Sequence, residues 1–173
     1  MVKRKLDNRL DLHSLEHEYG ELLPLIENFC SALSEQINGL LKNSSVVLGF
    51  PLQHRVKPWN SVADKYDRAS FEINNVIDFQ DLVGLRIILL FKRDLPKVLD
   101  LIENNFNVIR QYDTQSRLQD DQFGYASIHF VVKLPETWLA VPTMAQMGEL
   151  KAEIQVRTLA QHIWAEASHE LQY

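Results

Sequence analysis

The sequence has one cysteine, Cys30, and no CxxC pair. That excludes an intrachain disulfide and a cysteine-rich zinc site, and it fits a reducing, cytoplasmic compartment. No apolar run approaches the roughly 18 residues that cross a membrane, so no membrane partner is expected. The opening MVKRKLDNRLDLH is basic, but no apolar stretch follows it as in a secretory signal. An excess of positive charge is also lacking: 18 Lys and Arg stand against 23 Asp and Glu, a net charge of −5. Bulk charge therefore cannot hold nucleic acid, and a polyanion site must be a local basic cluster. Neither GxxxxGK[ST] nor GxGxxG occurs, which removes the common phosphate loops. The serines and the cysteine support no nucleophile–base pair. There is no repeat and no low-complexity segment.

What remains is 173 residues, enough for one domain with a sizeable core. Within residues 14–42, Leu22, Leu25, Ile26, Phe29, Leu33, Ile37, Leu40 and Leu41 recur at helical spacing. Gly20 and Pro24 predict a break near residue 20, with Pro24 in the first turn of the longer helix. This N-terminal helical region, 1–44, reads as scaffold, and a second region follows over 45–173. Cys30, beside the stripe, reads as a small core residue. Residues 45–57 read as extended, with a break at Gly49–Pro51. Residues 60–72 read as a short helix capped by Asn60 or Ser61, with Asp64 in its first turn. The run LVGLRIILLF, 82–91, is nearly all apolar, as expected of the central strand. Leu95, Val98, Leu99 and Ile102 predict a covering helix. Residues 106–112, 125–134 and 149–157 predict further strands, 113–123 a loop and 135–148 a connection. Strands alternating with helices give an α/β fold, a mixed sheet flanked by helices.

Four places carry chemistry. In the first, Arg55 and Lys57 share a face of an extended segment, and Ser61 and Lys65 share a helix face at i and i+4. Cations and a hydroxyl at a helix start suit phosphate, though a solvated basic surface looks the same. In the second, Asp81 stands at the mouth of the apolar strand, as a turn aspartate or a Mg²⁺ ligand. Arg86, inside that strand, is expected to pair with an acid. In the third, alternation sets Tyr125, Ser127 and His129 on one face, where a tyrosine after Gly124 can stack on a base. An ordinary amphipathic strand gives the same pattern. In the fourth, residues 151–173, Glu153, Gln155 and Arg157 share a strand face. Glu153 can pair with Asp81 around Mg²⁺ or act as a general base. The following helix sets His162, Glu166 and His169 on one face. That spacing could chelate zinc, but a face bonded to the sheet fits it better. The sequence stops at Tyr173 inside a helical pattern with no stop signal, the expectation for a piece of a longer protein.

Taken in order, these stretches resemble the synthetase domain of the RelA/SpoT family, and its small alarmone synthetases. The family patterns RxKxxxSxxxK, DLxGxRI, GYxSxH and EIQxRT meet Arg55–Lys65, Asp81–Ile87, Gly124–His129 and Glu153–Thr158. The match covers about residues 45–173. The resemblance implies a nucleotidyltransferase-like fold and a GTP pyrophosphokinase. Such an enzyme moves the β,γ-pyrophosphate of ATP, with Mg²⁺, to the 3′-hydroxyl of GDP or GTP and makes (p)ppGpp, the stringent-response alarmone. It implies that Arg55, Lys57, Ser61 and Lys65 hold ATP, with Arg93 toward the adenine. Asp81 would bind Mg²⁺. Tyr125 would stack on the acceptor guanine, with His129 and Gln155 helping to hold that nucleotide. Glu153 would be the second essential acid, binding metal or activating the 3′-hydroxyl. Relatives of this kind often assemble, so a homo-oligomer is implied. The His-Asp pair of the family's hydrolase domain is missing, which implies synthesis alone.

Two departures bear on the acceptor. Ala126 stands where many synthetases have arginine, and the approach QDDQF, 119–123, is acidic where guanine-specific members commonly carry lysine and asparagine. Two other functions stay open. One is the same transfer to a tRNA 3′ end or an adenine nucleotide, as in toxin-type members. The other is a nucleotide-sensing module without catalysis, against which the retention of both acids argues.

Overall fold

The structure, a computed structural model, describes residues 11–68, 73–114 and 127–170, with side chains to Ser168 in the last helix. Its first element is α1 (Leu12–Asn43), one unbroken helix with Pro24 inside it. The break expected near Gly20 does not occur. Leu15 and Tyr19 are buried ahead of that point, and the Tyr19 hydroxyl donates to the Lys57 carbonyl at 2.8 Å. Such anchoring offsets the roughly 3 kcal/mol that a mid-helix proline costs. The helix ends at Ser44, whose N–H and hydroxyl both donate to the Leu41 carbonyl. Ser45 then takes the left-handed conformation, φ 56°, that turns the chain out of the helix.

Among the described residues five strands form one sheet: β1 (Gln53–Val56), β2 (Val83–Leu89), β3 (Asn107–Asp113), β4 (Ile128–Lys133) and β5 (Ala152–Thr158). Their order is β1-β2-β5-β4-β3. Only β2 and β5 run parallel. The expected centre is therefore corrected: β5 occupies the middle, and β2 lies between it and the edge strand β1. In the apolar run over β2, Ile88 lies outside the main core cluster but is buried, and the chain at Gly49 pairs beside it, the Gly49 N–H donating to the Ile88 carbonyl at 2.7 Å. A Cβ on Gly49 would meet Leu159 at 3.2 Å and Ile88 at 3.6 Å.

One sheet face carries the core. Val83, Leu85, Ile87 and Leu89, Ile154 and Val156, and Phe130 and Val132 belong to one cluster with Ile26, Phe29, Leu33 and Ile37 of α1. Val98 and Ile102 of α3 (Leu95–Asn105) join it, as the sequence predicts. The helical region thus shares its core with the sheet. The helix α2 (Trp59–Arg68) starts earlier than expected. The N–H groups of Ser61 and Val62 both bond to the Pro58 carbonyl, so neither Asn60 nor Ser61 caps it, and Asp64 falls in its second turn. Between β4 and β5 lie a short helix, α4 (Glu136–Leu139), and a turn that buries Met147. The final helix, α5 (Leu159–Glu170), follows β5 directly.

Candidate active site

The other face of the sheet is open and polar, and strand register decides what stands on it. Arg55 pairs with Gly84, which pairs with Glu153. One row along, Gln53 pairs with Arg86, Arg86 with Gln155, Gln155 with His129 and His129 with Tyr112. A cleft over these rows is lined by Arg55, Lys57, Asp81, Gly84, Glu153 and Gln155 among others. Gly84 leaves it open: a Cβ there would have only the Arg55 side chain within 4 Å.

Asp81 lies just before β2 and receives two cations. Lys57 Nζ donates to Oδ2 at 2.8 Å, and Lys65 Nζ stands 2.8 Å from Oδ1 as an ion pair. Oδ1 is buried, with the Lys65 ammonium as its partner. Burial works to raise the Asp81 pKa, but the two ammonium groups outweigh it and hold the carboxyl below its usual range.

Glu153, on β5, is held by different means. Its Oε1 accepts from the Tyr112 hydroxyl at 2.6 Å and meets His129 Nδ1 at 2.8 Å. Gln155 Nε2 approaches Oε2 at 3.4 Å. Burial would raise the pKa, yet the His129 and Tyr112 bonds prevail and lower it to about 2. Glu153 is thus a carboxylate throughout the neutral range. His129 is buried, and its Nε2 meets the Ser127 hydroxyl. Facing a carboxylate, Nδ1 carries a ring hydrogen. A Ser–His–Glu array therefore exists where the serine content suggested none. Ser127 is only 2% exposed, so its hydroxyl serves the ring rather than a substrate.

The predicted residues are partly brought together. Arg55, Lys57, Asp81, Glu153 and Gln155 line one cleft, with Lys65 joined through Asp81 and His129 beneath Glu153. Ser61 sits in the first turn of α2, and Arg93 stands beyond the far end of β2, over the Phe91 ring at 4.6 Å. Tyr125, Gly124, Ala126 and the QDDQF approach lie outside the described residues, as does the His169 side chain. Arg157 leaves the cleft: it is 2% exposed and bonds to His162 and, at 3.1 Å, to Glu166. Glu166 also reaches Arg86 at 3.6 Å, the acid that Arg86 was expected to find. The α5 face is therefore bonded to the sheet.

Tyr112 was missed, and a bulge explains why. Val108 pairs with Val132 of the core face, so parity assigns Tyr112 to that face too. The register shifts between Val108 and Arg110, which puts Arg110 opposite Val131 and Tyr112 opposite His129, on the open face.

A hard cation fits this donor set. Two carboxylates held ionised, Asp81 and Glu153, border one cleft. Among the described residues no group of three or more His, Cys, Asp or Glu could hold a metal. A cation here would complete its shell from phosphates and water, as Mg²⁺ commonly does.

The fold is thus an α/β sheet of nucleotidyltransferase type, with acids and cations gathered on its open face. The chain belongs to the RelA/SpoT family: the description "Region found in RelA / SpoT proteins" matches residues 54–173. The GTP pyrophosphokinase YjbM of Bacillus subtilis is 34% identical over 121 residues, 69% of this chain and 54% of that protein. The chain thus spans about half the length of that relative. The small alarmone synthetase 1 of B. subtilis superposes with a TM-score of 0.70 at 27% identity, over 91% of this chain and 79% of that one. Its structure bound to its product pppGpp gives 0.66 at 28%, over 92% and 82%. Its structure bound to AMPCPP gives 0.64 at 25%, over 90% and 78%.

Proposed function

We propose that the cleft is the active centre of a cytoplasmic, Mg²⁺-dependent GTP pyrophosphokinase that moves the β,γ-pyrophosphate of ATP to the 3′-hydroxyl of GDP or GTP. The observation that carries this reading is the gathering of Asp81, with Lys57 and Lys65, and of Glu153 at one cleft on an open sheet face. Relatives solved with pppGpp and with AMPCPP support both nucleotide classes.

In this reading Arg55, Lys57, Ser61 and Lys65 hold the ATP phosphates. Arg93, seven residues of β2 away, meets only the end of ATP farthest from the reaction. Asp81 and Glu153 would hold Mg²⁺, which would supply charge neutralisation at the phosphates. Tyr125 and Gln155 serve the acceptor, and His129 acts beneath Glu153. The acceptor 3′-oxygen attacks the β-phosphorus, its hydroxyl proton passes to solvent water, the bond from that phosphorus to the α,β-bridging oxygen breaks, and AMP leaves carrying that oxygen. Glu153, already ionised, accepts the hydrogen bond of the 3′-hydroxyl and orients it. Charge stabilisation and positioning account for most of such a transfer.

The test is an acceptor panel. The protein is incubated with γ-labelled ATP and, separately, GDP, GTP, an adenine nucleotide and tRNA. Label is expected on GDP or GTP and lost in Asp81→Ala and Glu153→Ala, which keep the fold. Label on tRNA or the adenine nucleotide alone moves the assignment to that acceptor, and nucleotide binding without label transfer makes the protein a sensor.

A further inference from the structure

We propose that Tyr112 is a positioning residue for pyrophosphate transfer, fixing the Glu153 carboxylate toward the cleft; the proposal rests on the pyrophosphokinase reading above. The Tyr112 hydroxyl donates to Glu153 Oε1 at 2.6 Å. His129 Nδ1 takes the same oxygen at 2.8 Å. The two donors come from neighbouring strands, and their rings stack at 4.8 Å with 18° between planes. Ser127 holds the far nitrogen of His129, and Thr114 accepts the Ser127 N–H at 2.9 Å. The donors thus form a braced pair on one carboxylate oxygen. The other oxygen has only the longer Gln155 contact, at 3.4 Å, among these bonds.

A glutamate held by one hydrogen bond can still swing about its side-chain torsions, whereas two donors from a stacked pair define one placement. That matters for transfer, because a small misplacement of a reacting group costs far more rate than binding. The β3 bulge is what brings Tyr112 onto this face. Bulges commonly re-aim a side chain near a functional site. Tyr112 reaches Glu153 from across β4, so it acts through the carboxylate.

The test is Tyr112→Phe, which keeps the ring and its stack and removes one hydrogen bond. Steady-state transfer from ATP to GDP or GTP and thermal unfolding are measured for both proteins. A lost bond to a charged group predicts a kcat lower by roughly tenfold or more, with KM for each nucleotide within about twofold of wild type. The melting midpoint is expected to fall by about 3–6 °C, since the lost bond is one of those that stabilise the ionised Glu153. A wild-type-like kcat overturns the proposal. So does a raised KM at unchanged kcat, which would make Tyr112 a substrate contact. If the wild type itself transfers nothing, the pyrophosphokinase reading falls and the proposal falls with it.

Discussion

Asp81 meets two ammonium groups, each at 2.8 Å, so part of the cleft's positive charge is neutralised within the protein. Polyphosphate must compete with Asp81 for Lys57 and Lys65 unless a cation takes the carboxylate. Asp81→Asn should therefore bind ATP several-fold more tightly than wild type in the presence of EDTA, while losing transfer in Mg²⁺. Calorimetry and the label assay check the two halves. Glu153 gives a pH prediction. Its pKa falls from an ordinary 4.5 to about 2 on folding. A depressed carboxyl stabilises fully above its unfolded pKa and loses that contribution as pH falls through the folded value. Between pH 4.5 and about 2, wild type should thus lose on the order of 3 kcal/mol more than Glu153→Gln in urea unfolding. The placement of the two acids, the two lysines and Gln155 about one cleft was legible in the sequence because strand alternation and short spacing report faces directly. Tyr112 was not, since a bulge reverses parity without a mark in the sequence.

Elements were legible where periodicity was long, and misread where tertiary contacts overrule local signals. The stripe in α1 was plain, but Gly20 and Pro24 suggested a break that Leu15 and Tyr19 prevent by burial. Pro24→Ala should restore a helical hydrogen bond and stabilise the protein by about 1–3 kcal/mol. An unchanged melting midpoint would show that the helix has already adapted to the proline. The apolar run in β2 suggested a central strand, but its Ile88 is buried outside the main core, where a Cβ on Gly49 would meet both Leu159 and Ile88. Gly49→Val should push these apart and cost about 1–3 kcal/mol by overpacking, seen as a lowered urea midpoint. At the other end, α5 is tied to the sheet by Arg157, His162 and Glu166. Burial and the Arg157 guanidinium push the His162 pKa down, so that ring favours its neutral form. His162 and Glu166, two of the three residues whose spacing hinted at zinc, serve this attachment.

At the scale of the molecule, a net charge of −5 coexists with cations gathered at one cleft. That combination suits a small polyphosphate better than an extended polyanion, which contacts phosphates over a wide surface. The chemistry is distinguished from simple phosphorylation by what ATP becomes. A pyrophosphokinase releases AMP, a kinase ADP. The most direct measurement is therefore product analysis by ion-exchange chromatography after incubating the protein with ATP, Mg²⁺ and GDP or GTP. Equal amounts of AMP and a guanine nucleotide carrying a 3′-pyrophosphate are predicted, both absent with Glu153→Gln. ADP in place of AMP, or an unchanged guanine nucleotide beside intact ATP, would contradict the account.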